Sequence, residues 1–293
     1  MSSFQGDKYI RAYTKQLLKG ETSEVRRLKR FYQTEYNKGV EVFLLSGKTN
    51  NFIDLFKKND YDKIYESIYV NIGLRFANWY ADNITRFIKK ELDKNDFKDT
   101  WERQFASEGE RIAAVRVVTV QGTAKKELEK TLQRLMTDVD FQSRGAVEKG
   151  RILRQRFNKL GTYQAERIVR TEATNAANFG VMQSATDIYG KSNLQKEWIS
   201  ALDARVRDGH RTSGGIFENS NEPSIVNFND KFIVNGERLD RAGDPAGSPS
   251  NVINCRCAIA PFPKPDADTI TPLNQIAVGV AQSQLIKPIL NEN

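Results

Sequence analysis

The residues of this sequence with the clearest chemical potential are its two cysteines and its single histidine. Cys255 and Cys257 are one residue apart in NVINCRCAIA, and His210 precedes them in ALDARVRDGH. Residues i and i+2 of a strand point to the same face, so two thiolates on a strand could ligate one metal ion. With His210 as third ligand and Asp203 or Asp208 as fourth, the mixed sulfur, nitrogen and oxygen set suits a structural Zn²⁺.

Other interpretations of the cysteine pair stay open. The spacing is not that of a standard zinc finger, because there is no Cys-x2-Cys pair and no second histidine. Free cysteine also packs as a small hydrophobic residue, so two packed thiols without metal explain the same pattern. A redox or nucleophilic cysteine is a third interpretation, and it would need His210 as the activating base.

The loop DARVRDGH offers a second set of charged residues. Asp203, Arg205, Arg207 and Asp208 are opposite charges at short range, which favours a loop held by arginine–carboxylate pairs. The alternative is a metal-dependent hydrolase or nuclease that uses Asp203, Asp208 and His210. The sequence shows no second acid or base group for that chemistry.

Long helices must position these residues, because residues from about 7 to 190 carry helical spacing. Between residues 61 and 92, apolar side chains recur every three or four positions, which predicts a core stripe rather than a platform for stacked bases. The stripe consists of Ile64, Tyr65, Ile68, Tyr69, Ile72 and Phe76. Further along, Gly122 is expected to separate two helices, and Gly161 is expected to end a basic helix.

The next predicted helix, residues 162–190, is rich in alanine and small polar side chains, which allow a neighbouring element to approach closely. Within it, RIVRTEATNAAN places Arg170, Glu172 and Asn175 at spacings that bring polar groups to one face. Because polar groups inside a packed protein need hydrogen-bond partners, we expect a buried network here rather than catalysis.

After Gly190 the pattern changes to short strands and turns. KEWIS and VINCRCAIA are predicted strands, and Asn235-Gly236 between apolar arms predicts a two-residue hairpin turn. RAGDPAGSPS is predicted to be a turn-rich loop, and PFPKPDADTITP is expected to break regular structure. Residues 273–293 are expected to form a short apolar helix that docks on a partner.

The net charge of +8 is unevenly distributed. Residues 196–293 hold 10 basic and 12 acidic side chains, so the first 195 residues carry +10. A dense basic group consists of Arg144, Lys149, Arg151, Arg154, Arg156 and Lys159. It forms either an ordinary solvated helix face or a contact with DNA or an acidic protein, which is the basis of a DNA-binding module as a further alternative.

The composition excludes several classes of protein. With 39% hydrophobic and 28% charged residues, the chain is expected to be soluble and folded. The N-terminus has no apolar core, so no signal peptide is expected, and no stretch is apolar enough to predict a membrane span. Two cysteines do not make a disulfide scaffold, which indicates a reducing compartment.

The ordered motifs resemble the phage Mu F-like minor head protein family, also called the phage head morphogenesis domain. The family pattern runs from Arg-Thr-Glu with a downstream Asn, through Trp and Asp-x-Arg-x-Arg-x-x-His, to a Pro-Gly-Asp-Pro-like loop and Asn-Cys-Arg-Cys. Its elements here are Arg170, Thr171, Glu172, Asn175, Trp198, Asp203, Arg205, Arg207, His210, Gly243, Asp244, Pro245, Asn254, Cys255, Arg256 and Cys257. The match covers roughly residues 145–262 and departs at Ala242, where the family usually has proline.

The resemblance implies a non-enzymatic minor structural protein of a tailed double-stranded DNA phage. It implies a place near the portal vertex of the head, after assembly in the host cytoplasm, with a role in head assembly and in DNA packaging or ejection. The portal protein is the expected partner, with other head proteins and packaged DNA as further candidates and no membrane. The residues expected to form a structural polar network are Arg170, Glu172, Asn175, Asp203, Arg205, Arg207, Asp244, Asn254 and Arg256.

The predicted fold class is α+β. A mostly helical N-terminal region, residues 1–143, is expected to precede a compact Mu F-like domain, residues 144–263, in which helices are followed by a small antiparallel sheet. Residues 264–293 form the expected C-terminal tail.

Overall fold

The computed structural model describes residues 3–48, 52, 57–85, 94–211 and 224–264. Four long helices dominate, α1 (Ser3–Ser46), α2 (Lys58–Thr85), α3 (Lys94–Met136) and α5 (Ala146–Tyr189), while α4 (Val139–Gln142) and α6 (Pro249–Val252) are single turns. The strands in this part of the chain are β1 (Leu194–Ile199), β2 (Ile225–Asn227), β3 (Phe232–Val234), β4 (Glu237–Leu239) and β5 (Ala258–Pro263). The predicted α+β class with a small antiparallel sheet is confirmed.

The chain forms two compact units. Unit one consists of residues 1–21, 68–106 and 170–293, and unit two consists of residues 22–67 and 107–169. Each of the four long helices contributes segments to both units. The predicted boundaries at residues 143 and 263 were drawn from sequence motifs, and they stay a prediction.

Five of the six residues of the predicted apolar stripe of α2 lie in the core, and the sixth, Ile64, is half-buried. Tyr65, Ile68, Tyr69, Ile72 and Phe76 are each at most 1% exposed, which leaves no ring face for stacking on a nucleobase. The interpretation of these aromatic residues as core is confirmed.

In unit one, helices α2 and α5 approach each other with their backbones in contact. A Cβ atom added to Gly180 would lie 2.4 Å from the carbonyl oxygen of Gly73. Gly73 also faces Phe105, whose Cγ would lie 2.8 Å from a Cβ added at Gly73. The close approach predicted along this small-residue helix is therefore confirmed.

Two glycines predicted to interrupt helices lie inside them instead. Gly122 is within α3, where a Cβ would meet no atom within 4 Å, and Gly161 is within α5. An added Cβ at Gly161 would lie 2.8 Å from Cβ of Tyr32. The prediction of helix ends was wrong, because a glycine costs a long helix only about 1 kcal/mol and Gly161 is used for close packing in unit two.

Strand β1 is the centre of a three-stranded antiparallel sheet in the order β2–β1–β5. The strand predicted at KEWIS is confirmed. The prolines Pro261 and Pro263 lie inside β5, so the break expected at PFP was wrong. Among the described strands β5 pairs with β1 alone, and an edge strand tolerates proline because one row of its backbone groups is not needed for pairing.

Strand β5 is attached to helices from the start of the chain. The hydroxyl of Tyr9 in α1 donates to the carbonyl oxygen of Ile259 at 2.9 Å, and the hydroxyl of Tyr80 in α2 donates to the carbonyl oxygen of Pro261 at 2.9 Å. Both tyrosines are buried. These bonds connect β5, in the third sequence segment of unit one, to α1 and α2 in its first and second segments.

The predicted hairpin is confirmed. Strands β3 and β4 pair in antiparallel register through a two-residue turn, in which Asn235 has φ of 50° and Gly236 has φ of 77°. Positive φ at both turn positions matches the twist of the flanking strands.

Glu197 in β1 gives the fold a predictable pH dependence. Burial raises the pKa of its carboxyl group to about 7, from 4.5. Because folding raises this pKa, the neutral carboxyl stabilises the fold fully below pH 4.5, and that contribution is lost as the pH rises through about 7. Since the side chain is only half-buried, we expect Glu197→Gln to raise the free energy of unfolding by about 1–2 kcal/mol at pH 8 and to change it little at pH 4.5.

Chemical denaturation of the full chain at both pH values measures this difference. Glu129→Gln, on an exposed part of α3, is the matched control and should change stability equally at the two pH values. An unchanged pH profile in Glu197→Gln would contradict the assignment.

Several predicted features lie outside the described residues. They are the C-terminal tail from residue 265 onward, including its predicted helix, and residues 212–223, which hold the Gly-Gly pair of the DGHRTSGG stretch. Among the described helices, none combines the length and the hydropathy needed to cross a membrane.

Candidate functional site

His210 is fixed in a short 3-10 turn, Asp208–His210, that follows β1. The residue is 1% exposed, and its carbonyl oxygen accepts hydrogen bonds from Trp198 Nε1 at 3.2 Å and from Ser200 Oγ at 2.7 Å. The ring of Trp198 packs edge-on against the imidazole, with 5.4 Å between ring centroids. Trp198 of β1 and the adjacent Ser200 therefore position the histidine, by bonds to its carbonyl oxygen and by packing against its imidazole ring.

Gly209 allows the hairpin turn to reach this histidine. A Cβ atom added to Gly209 would lie 1.8 Å from Oδ1 of Asn235, so any side chain there would displace the turn. The loop predicted for DARVRDGH is confirmed, and its Gly-His pair brings the hairpin next to the imidazole.

The two cysteines precede β5 rather than lie in a strand, so the predicted strand at VINCRC was wrong. Their segment follows helix α6, and Asn254 has φ of 57°, which ends that helix before an extended stretch. Cys255 and Cys257 are buried free thiols, and Sγ of each lies close to Nδ1 of His210, at 3.5 Å and 3.8 Å. Because side chains alternate between the two sides of an extended chain, residues 255 and 257 still point to the same side, toward the imidazole of His210.

Polar side chains of α5 hold the backbone of the cysteine segment. Thr171 Oγ1 accepts from the amide of Asn254 at 3.3 Å, and Thr174 Oγ1 donates to the carbonyl oxygen of Cys255 at 2.5 Å. Asn178 Nδ2 donates to the carbonyl oxygen of Cys257 at 3.1 Å. Three side chains on one face of the helix thus fix the segment, and the polar residues of RTEATNAAN position the two thiols.

Asn251 orients the imidazole from its other side. Its Nδ2 donates to the carbonyl oxygen of Val234 at 3.2 Å, and its Oδ1 accepts from Asn235 Nδ2 at 2.7 Å. Oδ1 also lies 3.2 Å from Nε2 of His210. Because that amide oxygen can only accept, Nε2 must carry a proton, and in the neutral ring Nδ1 therefore presents a lone pair to the two sulfur atoms.

The thiols influence each other's ionisation. A hydrogen bond from Cys257, together with His210, lowers the pKa of Cys255 below its ordinary value. The same hydrogen bond and burial raise the pKa of Cys257.

Part of the predicted polar network forms around α5. Tyr69 donates to Glu172 Oε2 at 3.0 Å, Asn175 Nδ2 donates to the hydroxyl of Tyr69, and Arg241 Nε donates to Asn175 Oδ1 at 2.6 Å. Asp244 caps the following loop, where it accepts from the amides of residues 240 and 246. The Glu172 and Asn175 side chains thus connect α2 to the loop after β4.

A second group forms at the loop after β1. Asp203 Oδ2 pairs with Arg256 Nη1 at 3.1 Å, and Asp203 Oδ1 accepts from the amide of Arg205 at 2.8 Å. Arg207 donates to the carbonyl oxygen of Ile253. These contacts join the DARVRDGH loop to the cysteine segment.

A cavity of about 260 Å³ lies between this loop, the cysteine segment and α5. Its walls include His210 and both cysteines, and its charged residues are Arg170, Asp203, Arg205, Arg207 and Arg256. Four arginines and one carboxylate residue thus line the cavity.

The structure brings together three of the four predicted metal ligands. Within the described residues, His210, Cys255 and Cys257 are the one group of three or more potential ligands whose ligand atoms all lie within 4.8 Å of each other. Asp203 is outside the group. Asp208 is 89% exposed and pairs with Arg211.

The predicted basic group lies at the start of α5, in unit two. Glu148 pairs with Arg151 at 2.6 Å and with Arg144 at 3.6 Å, and Lys149 lies over the ring of Phe141. The side chains of Arg156 and Lys159 are exposed, and Arg154 is half-buried.

Sequence reasoning missed three residues of the site. The sequence patterns indicate no role for Asn251 or Arg241, although each bonds a motif residue. The sequence places Lys196 in a strand and does not indicate that it is fully buried and pairs with Asp240 at 2.6 Å. Their partners are 41 to 66 positions away in the sequence, and no local pattern indicates such contacts.

Comparison with known proteins identifies the framework formed by these motifs. The sequence model described as Phage Mu protein F like protein matches residues 113–260, which is half of the chain. The chain belongs to the phage Mu F-like family. The resemblance drawn from the motifs at Arg170, Asp203 and Cys255 is confirmed.

One curated relative of this Mu F-like protein is the minor head protein GP7 of Bacillus phage SPP1. The two are 32% identical over 108 residues, which cover 36% of this chain and 32% of the relative. The match therefore spans about a third of the relative's length. No solved structure matches the chain significantly.

Proposed function

We propose that this Mu F-like protein is a minor head protein of a tailed double-stranded DNA phage and that it acts in head assembly at the portal vertex. One observation carries the proposal: the family's motif residues on α5, on the DGH loop and at the cysteines are bonded to each other in one buried framework. Such a framework stabilises a scaffold that carries interaction surfaces. The relative named a minor head protein supports the same role.

The same geometry supports a non-enzymatic role. The hydrolase alternative needs Asp203 and Asp208 around a metal held by His210, yet Asp203 is paired with Arg256 and Asp208 points to solvent. The family and the relative are head proteins, which supports the same conclusion.

The portal protein is the proposed partner, with other head proteins beside it. Packaged DNA is a further proposed contact. Arg151, Arg156 and Lys159 would make it, because these exposed side chains belong to the strongly basic part of the sequence. Ion pairing of Arg151 with Glu148 reduces the free charge there, so the proposed function does not depend on DNA binding. The proposed location is the virion head, after assembly in the host cytoplasm.

Purified phage particles test the proposal. Mass spectrometry should find this chain in DNA-filled heads at a few copies per particle, and chemical cross-linking should join it to the portal protein more than to the major capsid protein. Tails purified separately are the control. Absence of the chain from both precursor and mature heads would refute a head role, while presence without portal cross-links would refute the location.

A further inference from the structure

The distances among His210, Cys255 and Cys257 fit a tetrahedral metal site. With Zn–S near 2.3 Å and Zn–N near 2.1 Å, tetrahedral angles place a sulfur and a nitrogen ligand about 3.6 Å apart. The two observed distances from Nδ1 to Sγ are 3.5 Å and 3.8 Å. Both nitrogen–sulfur separations therefore match what one zinc ion requires, and the two sulfur atoms lie within 4.8 Å of each other.

Hydrogen bonding explains these contacts less completely. Nδ1 of a neutral imidazole has one lone pair, so it can accept from the S–H of one cysteine but not from both at full strength. Two sulfur atoms nevertheless approach it, and both are buried at 1–2% exposure. One metal ion accounts for both approaches at once.

The surroundings prepare the ligands for metal. Asn251 fixes the proton of His210 on Nε2, which is the outer-shell arrangement common around zinc-bound histidine. Thr174 and Asn178 fix the backbone on either side of the thiols. The site is held by groups that do not themselves bind the ion.

The fourth coordination position of an ion held by these three residues would face the cavity. All three ligands line it, and Asp203 has both of its oxygen atoms engaged, by Arg256 and by the amide of Arg205. Four arginines surround the cavity, and Nε of Arg256 is buried without a hydrogen-bond partner among the described residues. Because two thiolates neutralise Zn²⁺, this excess of positive charge favours an anion at the fourth position.

We propose that His210 Nδ1, Cys255 Sγ and Cys257 Sγ bind one Zn²⁺ ion, and that its fourth ligand is an exchangeable water or small anion in the arginine-lined cavity. The ion joins the DGH loop to the cysteine segment and so has a structural role. The proposal is independent of the head-assembly function, because it concerns the metal content of the isolated chain.

Elemental analysis of the full-length protein, purified without chelators, tests the ligand set. We expect about one zinc per chain, with loss of that zinc in Cys257→Ser and in His210→Ala. Asp203→Asn is the matched control: it alters a charged residue of the same cavity and should keep the zinc. Loss of zinc from a folded Asp203→Asn protein would indicate that Asp203 is the fourth ligand and would overturn the proposal of an exchangeable one.

Cobalt replacement in the unaltered chain gives a test that does not depend on folding of the variants. Co²⁺ added to the chelator-treated protein should produce thiolate-to-metal charge-transfer absorption and tetrahedral ligand-field bands. Azide should then shift the ligand-field bands if the fourth position exchanges, and unshifted bands would refute that part. A folded protein with neither zinc nor thiolate-bound cobalt would overturn the site and leave packed, hydrogen-bonded thiols.

Asn251→Ala should weaken zinc binding by about 10–100-fold, because it removes the acceptor that orients His210. Competition with a chromophoric chelator measures the affinity. Unchanged affinity in a folded variant would contradict the positioning role of Asn251.

Discussion

Gly180→Ala is expected to lower the free energy of unfolding by about 2–3 kcal/mol, one of the two largest effects among the variants considered. The new Cβ would lie 2.4 Å from the carbonyl oxygen of Gly73 and 3.0 Å from its Cα. Those are backbone atoms of α2, so relief requires the two helices to separate. The gain of up to about 1 kcal/mol in helix propensity offsets only part of this cost.

Calorimetric melting of the full chain measures the effect, and Gly122→Ala supplies the control. Gly122 is also inside a long helix, but a Cβ there would meet nothing within 4 Å. We expect this change to raise stability by as much as about 1 kcal/mol, since alanine is the better helix former. If the two variants shift the melting temperature in the same direction, backbone contact between α2 and α5 is not what Gly180 provides.

Asn178→Ala is expected to lower the free energy of unfolding by about 3–5 kcal/mol. The fully buried amide donates to the carbonyl oxygen of Ala242 at 3.0 Å and to that of Cys257 at 3.1 Å, and it accepts from the amide of Ile259 at 2.8 Å. Alanine leaves these buried backbone groups without partners. Each such group costs about 1–3 kcal/mol.

Asn158→Ala on the same helix is the matched control, because that side chain is exposed. Its effect should stay within about 0.5 kcal/mol. Urea denaturation followed by circular dichroism compares the two variants. Similar midpoints for both would mean that the Asn178 hydrogen bonds add little to the stability of unit one.

Elements with a strong local signal were predicted well. The long helices follow from apolar spacing, and the hairpin follows from Asn235-Gly236, whose backbone preferences belong to the two residues themselves. Gly161 was misjudged because its function depends on Tyr32, a residue 129 positions earlier. The strand at Pro261 was missed for a related reason, since only its edge position makes proline acceptable.

In the candidate site, too, residue types and their order in the sequence were informative, whereas contacts between distant residues were not predictable. Residue types and order indicated that His210, Cys255 and Cys257 belong together, and the structure places them in contact. The expected fourth ligand, Asp203, satisfies its charge with Arg256 instead. The role of Asn251 depends on contacts with both the hairpin and the histidine, and neither is visible from the residues around it.

The bonds from Tyr9 to Ile259 and from Tyr80 to Pro261 affect how the protein is made. A ribosome delivers Tyr9 of α1 some 250 residues before Ile259 of β5, so the buried hydroxyl of Tyr9 stays without its final acceptor during most of synthesis. Unit one can close only after β5 has emerged, whereas residues 22–67 and 107–169 can complete unit two earlier. A ribosome that stalls before residue 259 therefore leaves a chain with exposed aromatic helix faces, the kind of surface that chaperones bind.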